Sequence, residues 1–447
     1  MWRTIRGKKN KHISSFQTII LGFLFVILIG SLCLMLPIAT QDGEGADFMD
    51  SLFTATSAVC VTGLILHDTA TYWSSFGQAV ILFLIQIGGL GVVTISVLIA
   101  IISGKKISLM QRSTMSEAIS VPHVGGIVRM TEFILKTALT VELVGAMIMF
   151  PVFFKEFGLT KGIWYAMFHS ISAFCNAGFD LLGVRTPFSS LTGYSAQPVI
   201  NLAIMALIII GGIGFLTWDD MQKKRFRLSR YRMQSKVILA ITGILIVVPT
   251  VWFFFFEFSD MPLGERLLSS MFQSVTPRTA GFNTVDLTTI SEVGLLLMIL
   301  LMLIGGSPGS TAGGMKTTTI AVLFSSSLAV FRQKGSAHYF GRRIPDEAIR
   351  NAGTVLLMYL TLFLAGGMFI SYVENIPVLL ALFETASAIG TVGLSLGLTP
   401  ELGRASQIVL ICLMFFGRVG GLTLIYATLS KQYTGGFKYP QEKITVG

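Results

Sequence analysis

Four phrases decide how this chain is built. They are Ser57-Ala-Val-Cys-Val-Thr-Gly-Leu64, Ser172-Ala-Phe-Cys-Asn-Ala-Gly-Phe179, Thr276-Pro-Arg-Thr-Ala-Gly-Phe282 and Ser387-Ala-Ile-Gly-Thr-Val-Gly-Leu394. Their glycines, Gly63, Gly178, Gly281 and Gly393, are 115, 103 and 112 residues apart. A phenylalanine precedes three of them by ten residues (Phe53, Phe168, Phe383) and Gly281 by nine (Phe272). Near-regular recurrence over such a period marks one structural unit used repeatedly.

Each phrase closes a short segment: 48–60, 161–175, 263–276 and 376–389. At 1.5 Å per residue these are too short to cross a bilayer core of ~30 Å. Long apolar runs flank each one. The leading runs are 16–39, 131–154, 236–256 and 352–373, and the trailing runs about 76–103, 198–218, 293–331 and 406–429. The chain is 53% hydrophobic and only 13% charged, which excludes an ordinary soluble domain of 447 residues.

Its 33 basic and 23 acidic residues give a net charge of +10, and the distribution is the informative part. Basic clusters lie at the amino terminus (Arg3, Arg6, Lys8, Lys9, Lys11), at 104–130, 219–236 and 332–350, and in the carboxyl tail. Acidic residues dominate the segments between them. Lys and Arg near span ends mark the cytoplasmic side. Both termini and three loops are therefore expected on the cytoplasmic side of a cell (inner) membrane, with an even number of crossings in each section. Two crossings and one segment that dips in and returns satisfy this. The basic runs alternate with spans, so nucleic acid is not the expected partner. They could instead dock a protein partner or meet anionic membrane lipids.

The run 16–39 exceeds the 7–15 residues of a signal-peptide core and reads as a retained span. Cys33, Cys60, Cys175 and Cys412 lack paired spacing, and the five histidines form no metal motif. No constellation for covalent catalysis is apparent, and the expectation is a protein that is not an enzyme.

The fold expected is an all-α polytopic membrane protein of four repeats, with eight transmembrane helices and four re-entrant pore helices around a pseudo-fourfold pore. Repeat boundaries fall at 1–104, 105–222, 223–335 and 336–430, with a cytoplasmic tail at 431–447. Backbone without helical hydrogen bonds is tolerated at membrane depth only inside protein or facing water. Four return strands on one axis would line such a path.

These strands carry no charge: Val61-Thr62-Gly63, Asn176-Ala177-Gly178, Thr279-Ala280-Gly281 and Thr391-Val392-Gly393. An ion passing them meets backbone carbonyls, which replace the water of a weakly hydrated cation. The short helices aim their negative carboxyl ends at the same place. Cation selectivity follows directly, and K+ at the filter carbonyls is the finer reading. A rival reading of any single phrase is a helix C-cap. Arg278, just before the third strand, is read as holding the pore helix from behind.

Residues 305–317 break a trailing apolar run with Gly305, Gly306, Ser307, Pro308, Gly309, Ser310, Thr311, Ala312, Gly313, Gly314, Met315, Lys316 and Thr317. Five glycines and a proline do not sustain a helix. Below a filter, such a stretch reads either as a movable gate or as a passive kink. Met315 spoils the register of a phosphate-binding loop. Arg418, inside the fourth trailing run, needs a partner at membrane depth. The two readings are a latch on the gate loop, or an ion pair with Glu142 or another buried acid. Lys316 either acts similarly or snorkels to the cytoplasmic face.

The four phrases, the GGSPGSTAGGMKT stretch at 305–317 and the FFGRVGGLT stretch around Arg418 together resemble the Trk/Ktr/HKT superfamily of potassium transporters, and most closely the membrane subunit of bacterial Ktr systems. The resemblance covers essentially the whole chain. It implies repeats of M1–P–M2 type, a homodimer with one pore per subunit, and a cytosolic nucleotide-binding KtrA-like ring that controls the gate. It places the filter glycines on Gly63, Gly178, Gly281 and Gly393, the intramembrane loop on 305–317 and the gate arginine on Arg418. It implies passive potassium uptake with Na+ as an activator and no organic cofactor on this chain. An alternating-access secondary transporter is the rival mechanism, disfavoured because the repeats are parallel rather than inverted.

Overall fold

Helices begin where the sequence supplies caps. Ser14 closes a capping box with Gln17 at the start of Ser15–Leu34, and Asp47 caps Phe48–Cys60. Ser74 and Ser291 cap Ser75–Leu90 and Glu292–Leu303, while prolines precede Leu263–Val275, Asp346–Glu374 and Val378–Gly390. The computed structural model describes residues 14–103, 109–118, 126–225 and 227–421, with 423 and 427. The amino-terminal basic cluster, the 431–447 tail and parts of the 104–130 cluster lie outside the described residues.

Among the described residues, four helices are long and apolar enough to cross a membrane: Ser15–Leu34, Ile127–Phe174, Met233–Glu257 and Asp346–Glu374. Between 28% and 33% of the most apolar stretch of each is buried. The remainder, including Phe25, Leu32, Met147, Val248 and Leu357, faces outward as lipid-contacting side chains do. These helices coincide with the four leading runs. In the second unit the leading run and the short helix form one continuous stretch that turns at Gly158, where φ is 75°.

The trailing runs differ from the sequence expectation, which takes the first, second and fourth as unbroken spans. Ser75–Leu90 and Val92–Ala100 meet at 94° around Gly91, and Pro198–Gly212 and Phe215–Lys224 meet at 97° around Gly214. Arg404–Val419 stops at Gly420. Gly91, Gly214 and Gly420 have φ between 86° and 90°, which a residue with a β-carbon rarely adopts. The third run breaks at 304–316 into Glu292–Leu303 and Thr317–Phe331. A break thus falls at a corresponding place in every unit.

Short and trailing helices pack through these glycines. A β-carbon on Gly88, Gly211 or Gly417 would collide with the carbonyl oxygen of Val59, Phe174 or Ile389 respectively. The trailing helix of units one, two and four therefore presses backbone to backbone against the end of its own short helix. This contact sets where each return strand starts.

Candidate functional site

Every short helix ends in the same backbone device. Val61, Asn176, Thr279 and Thr391 have φ of 57°, 60°, 68° and 52°, and the glycines two residues later have φ of 95°, 71°, 80° and 92°. Successive carbonyls of an extended strand point to opposite sides. A left-handed residue at every second position cancels that alternation and turns them the same way. Such strain in non-glycine residues collects at functional sites.

The four glycines close a ring. A β-carbon on Gly63 would lie 2.5 Å from the Ala177 oxygen, one on Gly178 2.7 Å from the Ala280 oxygen, and one on Gly281 2.5 Å from the Val392 oxygen. One on Gly393 would strike the Thr62 oxygen and so returns to the first strand. Val61, Thr62, Asn176, Ala177, Thr279, Ala280, Thr391 and Val392 are all fully buried. The carbonyls of Thr62, Ala177, Ala280 and Val392 accept no hydrogen bond among the described residues. The hydroxyls of Thr62, Thr279 and Thr391 likewise have no partner. The ring is a collar of uncommitted oxygens.

Hydroxyls on the short helices hold the strands. Ser57 and Ser387 accept the Gly63 and Gly393 N–H groups, each at 3.0 Å, while Ser172 and Thr276 donate to the Phe179 and Phe282 carbonyls. That hydroxyl lies six residues before the glycine in units one, two and four, and five residues before it in unit three. The nine-residue phenylalanine spacing reports this one-residue deletion. Arg278 sits beside it, 3% exposed, and donates to the Thr242 hydroxyl at 3.2 Å. This contact ties the residue before the third strand to the leading helix Met233–Trp252 of its own unit.

On one side of the ring a cavity is lined by all four glycines together with Asp68, Asp180, Asp286 and Glu401. Burial pushes the Asp180 carboxyl up to about 7, reinforced by the nearby Asp68 charge and opposed by the Leu182 N–H and the Ser190 hydroxyl. On the other side a second cavity is lined by Ser310, Ala312, Lys316, Tyr359 and Arg418.

Between the cavities lies the irregular stretch 304–316. Its backbone is bound on three sides. Gly305 and Gly306 donate to Met315 and Gly313 of the same loop, Ser307 and Thr311 to Gly212 and Gly211, and Gly314 to Gly417. Thr311 Oγ1 also bonds Asn176 Oδ1 at 3.0 Å, one residue from the ring. Arg418 donates to the carbonyls of Thr311 and Gly88, and to Gly89 at 3.2 Å. Lys316 Nζ donates to Ala312 at 2.9 Å and Gly313 at 3.1 Å. Three consecutive loop carbonyls, 311–313, are thus held by two cations.

Lys316 folds back on the loop instead of snorkelling. The Glu142 carboxylate receives Gln86 Nε2 at 3.0 and 3.2 Å, and Arg418 takes carbonyls in place of an acid.

The family model for the cation transport proteins of the TrkH type matches residues 3–433. This chain belongs to the TrkH family. Its relatives include the potassium/sodium uptake protein NtpJ of Enterococcus hirae, 41% identical over 99% of this chain and 100% of the relative. The Ktr system potassium uptake protein B of Bacillus subtilis is 38% identical over 96% of both chains, and that of Vibrio alginolyticus 34% identical over 99% and 97%. Among solved structures, the potassium transporter TrkH of Vibrio parahaemolyticus aligns with a TM-score of 0.74 at 19% identity, covering 94% of this chain and 86% of that one. The chain is an integral membrane protein of ion transport rather than an enzyme. The TrkH-family assignment bears out the resemblance read from the four phrases.

Proposed function

We propose that this protein takes up potassium through a gated, channel-like pore, and the closed ring of four glycines carries that reading. Carbonyl oxygens directed to one axis, with no charged side chain among them, substitute for the hydration shell of K+. Val61, Thr62, Gly63, Asn176, Ala177, Gly178, Thr279, Ala280, Gly281, Thr391, Val392 and Gly393 form the selectivity filter. The pore is built from four M1–P–M2 units with the boundaries expected from sequence, giving eight membrane crossings and four re-entrant helices. Both termini face the cytoplasm. The acidic cavity is the outer mouth, where Asp68, Asp180, Asp286 and Glu401 concentrate cations.

The 305–317 stretch and Arg418 form the gate. Its loop crosses beneath the filter, and its two cations repel ions that have passed the ring. Displacing the loop breaks its hydrogen bonds to Gly211, Gly212, Gly417 and Arg418 and unpacks the buried Ala312 and Met315, so opening takes free energy supplied from outside. That energy comes from the cytosolic nucleotide-binding subunit that the family resemblance implies; two relatives are each named as protein B of a Ktr system, which fits a multi-component assembly. The membrane subunit works as a homodimer with one pore per chain. Sodium enters as an activator or a second cargo, which the potassium/sodium name of the NtpJ relative favours.

Rubidium uptake into liposomes driven by a valinomycin-independent membrane potential tests this reading. Uptake that saturates, prefers Rb+ to Na+ and rises with the cytosolic subunit supports it. Equal Rb+ and Na+ flux in the wild-type protein would refute the filter.

A further inference from the structure

The residue after each short-helix phenylalanine differs in all four units: Thr54, His169, Gln273 and Glu384. All four are buried, and the last three completely. In units two and four this residue grips the strand that leaves the ring. His169 Nε2 accepts the Leu181 N–H at 3.3 Å, while its Nδ1, 2.7 Å from the Tyr165 carbonyl, carries the ring proton. Glu384 makes the stronger grip. Its Oε1 accepts from the Ser395 hydroxyl at 2.7 Å and the Leu396 N–H at 3.1 Å, and its Oε2 from the Thr399 hydroxyl at 2.6 Å. Leu181 and Leu396 are each the third residue beyond their ring glycine. Two units therefore use one register and one donor for this contact.

Unit three breaks the pattern. Neither amide atom of Gln273 has a hydrogen-bond partner, and neither does the hydroxyl of Thr284, the third residue beyond Gly281. This is the unit with the one-residue deletion between its helix and its glycine. The shorter link moves the strand out of register with its would-be anchor. The ring is thus held firmly at Gly178 and Gly393 and without this contact at Gly281.

We propose that Glu384 is a positioning residue that determines ion selectivity, by tying the outer end of the fourth strand to its short helix. The chain of contact is short. Ser395 and Leu396 line the outer cavity, and Gly393, three residues before Leu396, abuts Gly63 on one side and Gly281 on the other. Releasing the exit lets Gly393 move away from both neighbours and widens the ring on one diagonal. A wider ring replaces a partly dehydrated K+ site with one that also admits hydrated Na+. The carboxyl itself is fully buried and stands outside the cavity lining. Its three donors come from the strand and the loop behind the cavity.

The proposal rests on the ring acting as the selectivity filter, and the test separates the two. The readout is the Rb+/Na+ uptake ratio in liposomes, for protein that elutes and melts as the parent does. Glu384→Ala removes three bonds to a buried acceptor and is expected to lower the ratio about tenfold. Glu384→Gln retains an acceptor oxygen and restores most of the ratio. The double variant Ser395→Ala with Thr399→Val leaves the acid in place, removes two donors and lowers the ratio several-fold by the same route; it stands in if Glu384→Ala fails to fold. Gln273→Leu, at the corresponding position without a grip, leaves the ratio as in the parent. A parental ratio in folded Glu384→Ala, or an equal loss in Gln273→Leu, overturns the proposal. Gly393→Ser is the separate control: an unchanged ratio there overturns the filter reading itself.

Discussion

The guanidinium of Arg418 is hydrogen-bonded to the backbone carbonyl of Thr311, which joins the trailing helix of the fourth unit to the interrupted helix of the third. Thr311 in turn reaches Asn176 at the ring through its hydroxyl. One residue therefore touches both the arginine and the second return strand.

Arg418→Ala removes the bonds to Thr311, Gly88 and Gly89 and one of the two cations under the ring. Bonds from a charged donor contribute about 1.5–3 kcal/mol each, so loss of even one shifts the closed–open balance by roughly tenfold or more. Uptake of Rb+ without the cytosolic subunit should rise by about that factor, with the Rb+/Na+ ratio intact. An unaltered basal rate would remove Arg418 from the gate.

Shortening the loop by deleting residues within 309–314 removes the Gly314 bond to Gly417, the Thr311 bond to Gly211 and the carbonyls that hold Lys316. The expected result is a folded protein with raised, partner-independent flux. A folded variant that transports nothing would favour the passive-kink reading.

Gly63→Ser places a side chain where φ is 95° and the Ala177 oxygen stands 2.5 Å from the new β-carbon. The Ala177 carbonyl has to swing away, and one oxygen of the ring goes with it. Sodium uptake should gain on rubidium uptake by about tenfold. Flux ratios equal to those of the parent would count against the collar.

The outer mouth should respond to pH through Asp180. Its carboxyl titrates near 7, so acidification from pH 8 to pH 6 removes one negative charge from a wall shared with Asp68, Asp286 and Glu401. Uptake at low cation concentration should fall over that interval, and Asp180→Asn should flatten the dependence. Stability moves the other way. A carboxyl raised in the folded protein binds more protons there than in the unfolded chain between about pH 4 and 7, so its contribution is present below that window and is lost as pH rises through 7. In melting curves, the parent should lose stability relative to Asp180→Asn on going from pH 5 to pH 8.

Much of this was legible because the signals were local. The phrases around Gly63, Gly178, Gly281 and Gly393, and the glycine-rich stretch at 305–317, each state a backbone requirement in their own residues. The breaks at Gly91, Gly214 and Gly420 were hidden because GGLG, GGIG and RVGG sit in apolar surroundings, where glycine also serves close packing. The steep angle between the flanking helices at Gly91 and Gly214, and the left-handed φ at Gly420, distinguish the two uses. The partners of Arg418 were equally hidden: three backbone carbonyls leave no mark in a sequence, whereas Glu142 does. The shortened link of the third unit was visible as a nine-residue spacing, but its effect on Gln273 required the coordinates.

The collar has one property that an assembly of four identical subunits lacks. All four of its quarters lie on a single polypeptide, so each can be substituted on its own while the sequences of the others stay fixed. Because every glycine leans on its neighbour's oxygen, a change in one quarter is felt by the next, as stones in an arch share a load. Paired substitutions at adjacent quarters should therefore fall short of the sum of their separate effects, whereas homotetramers do not permit the comparison.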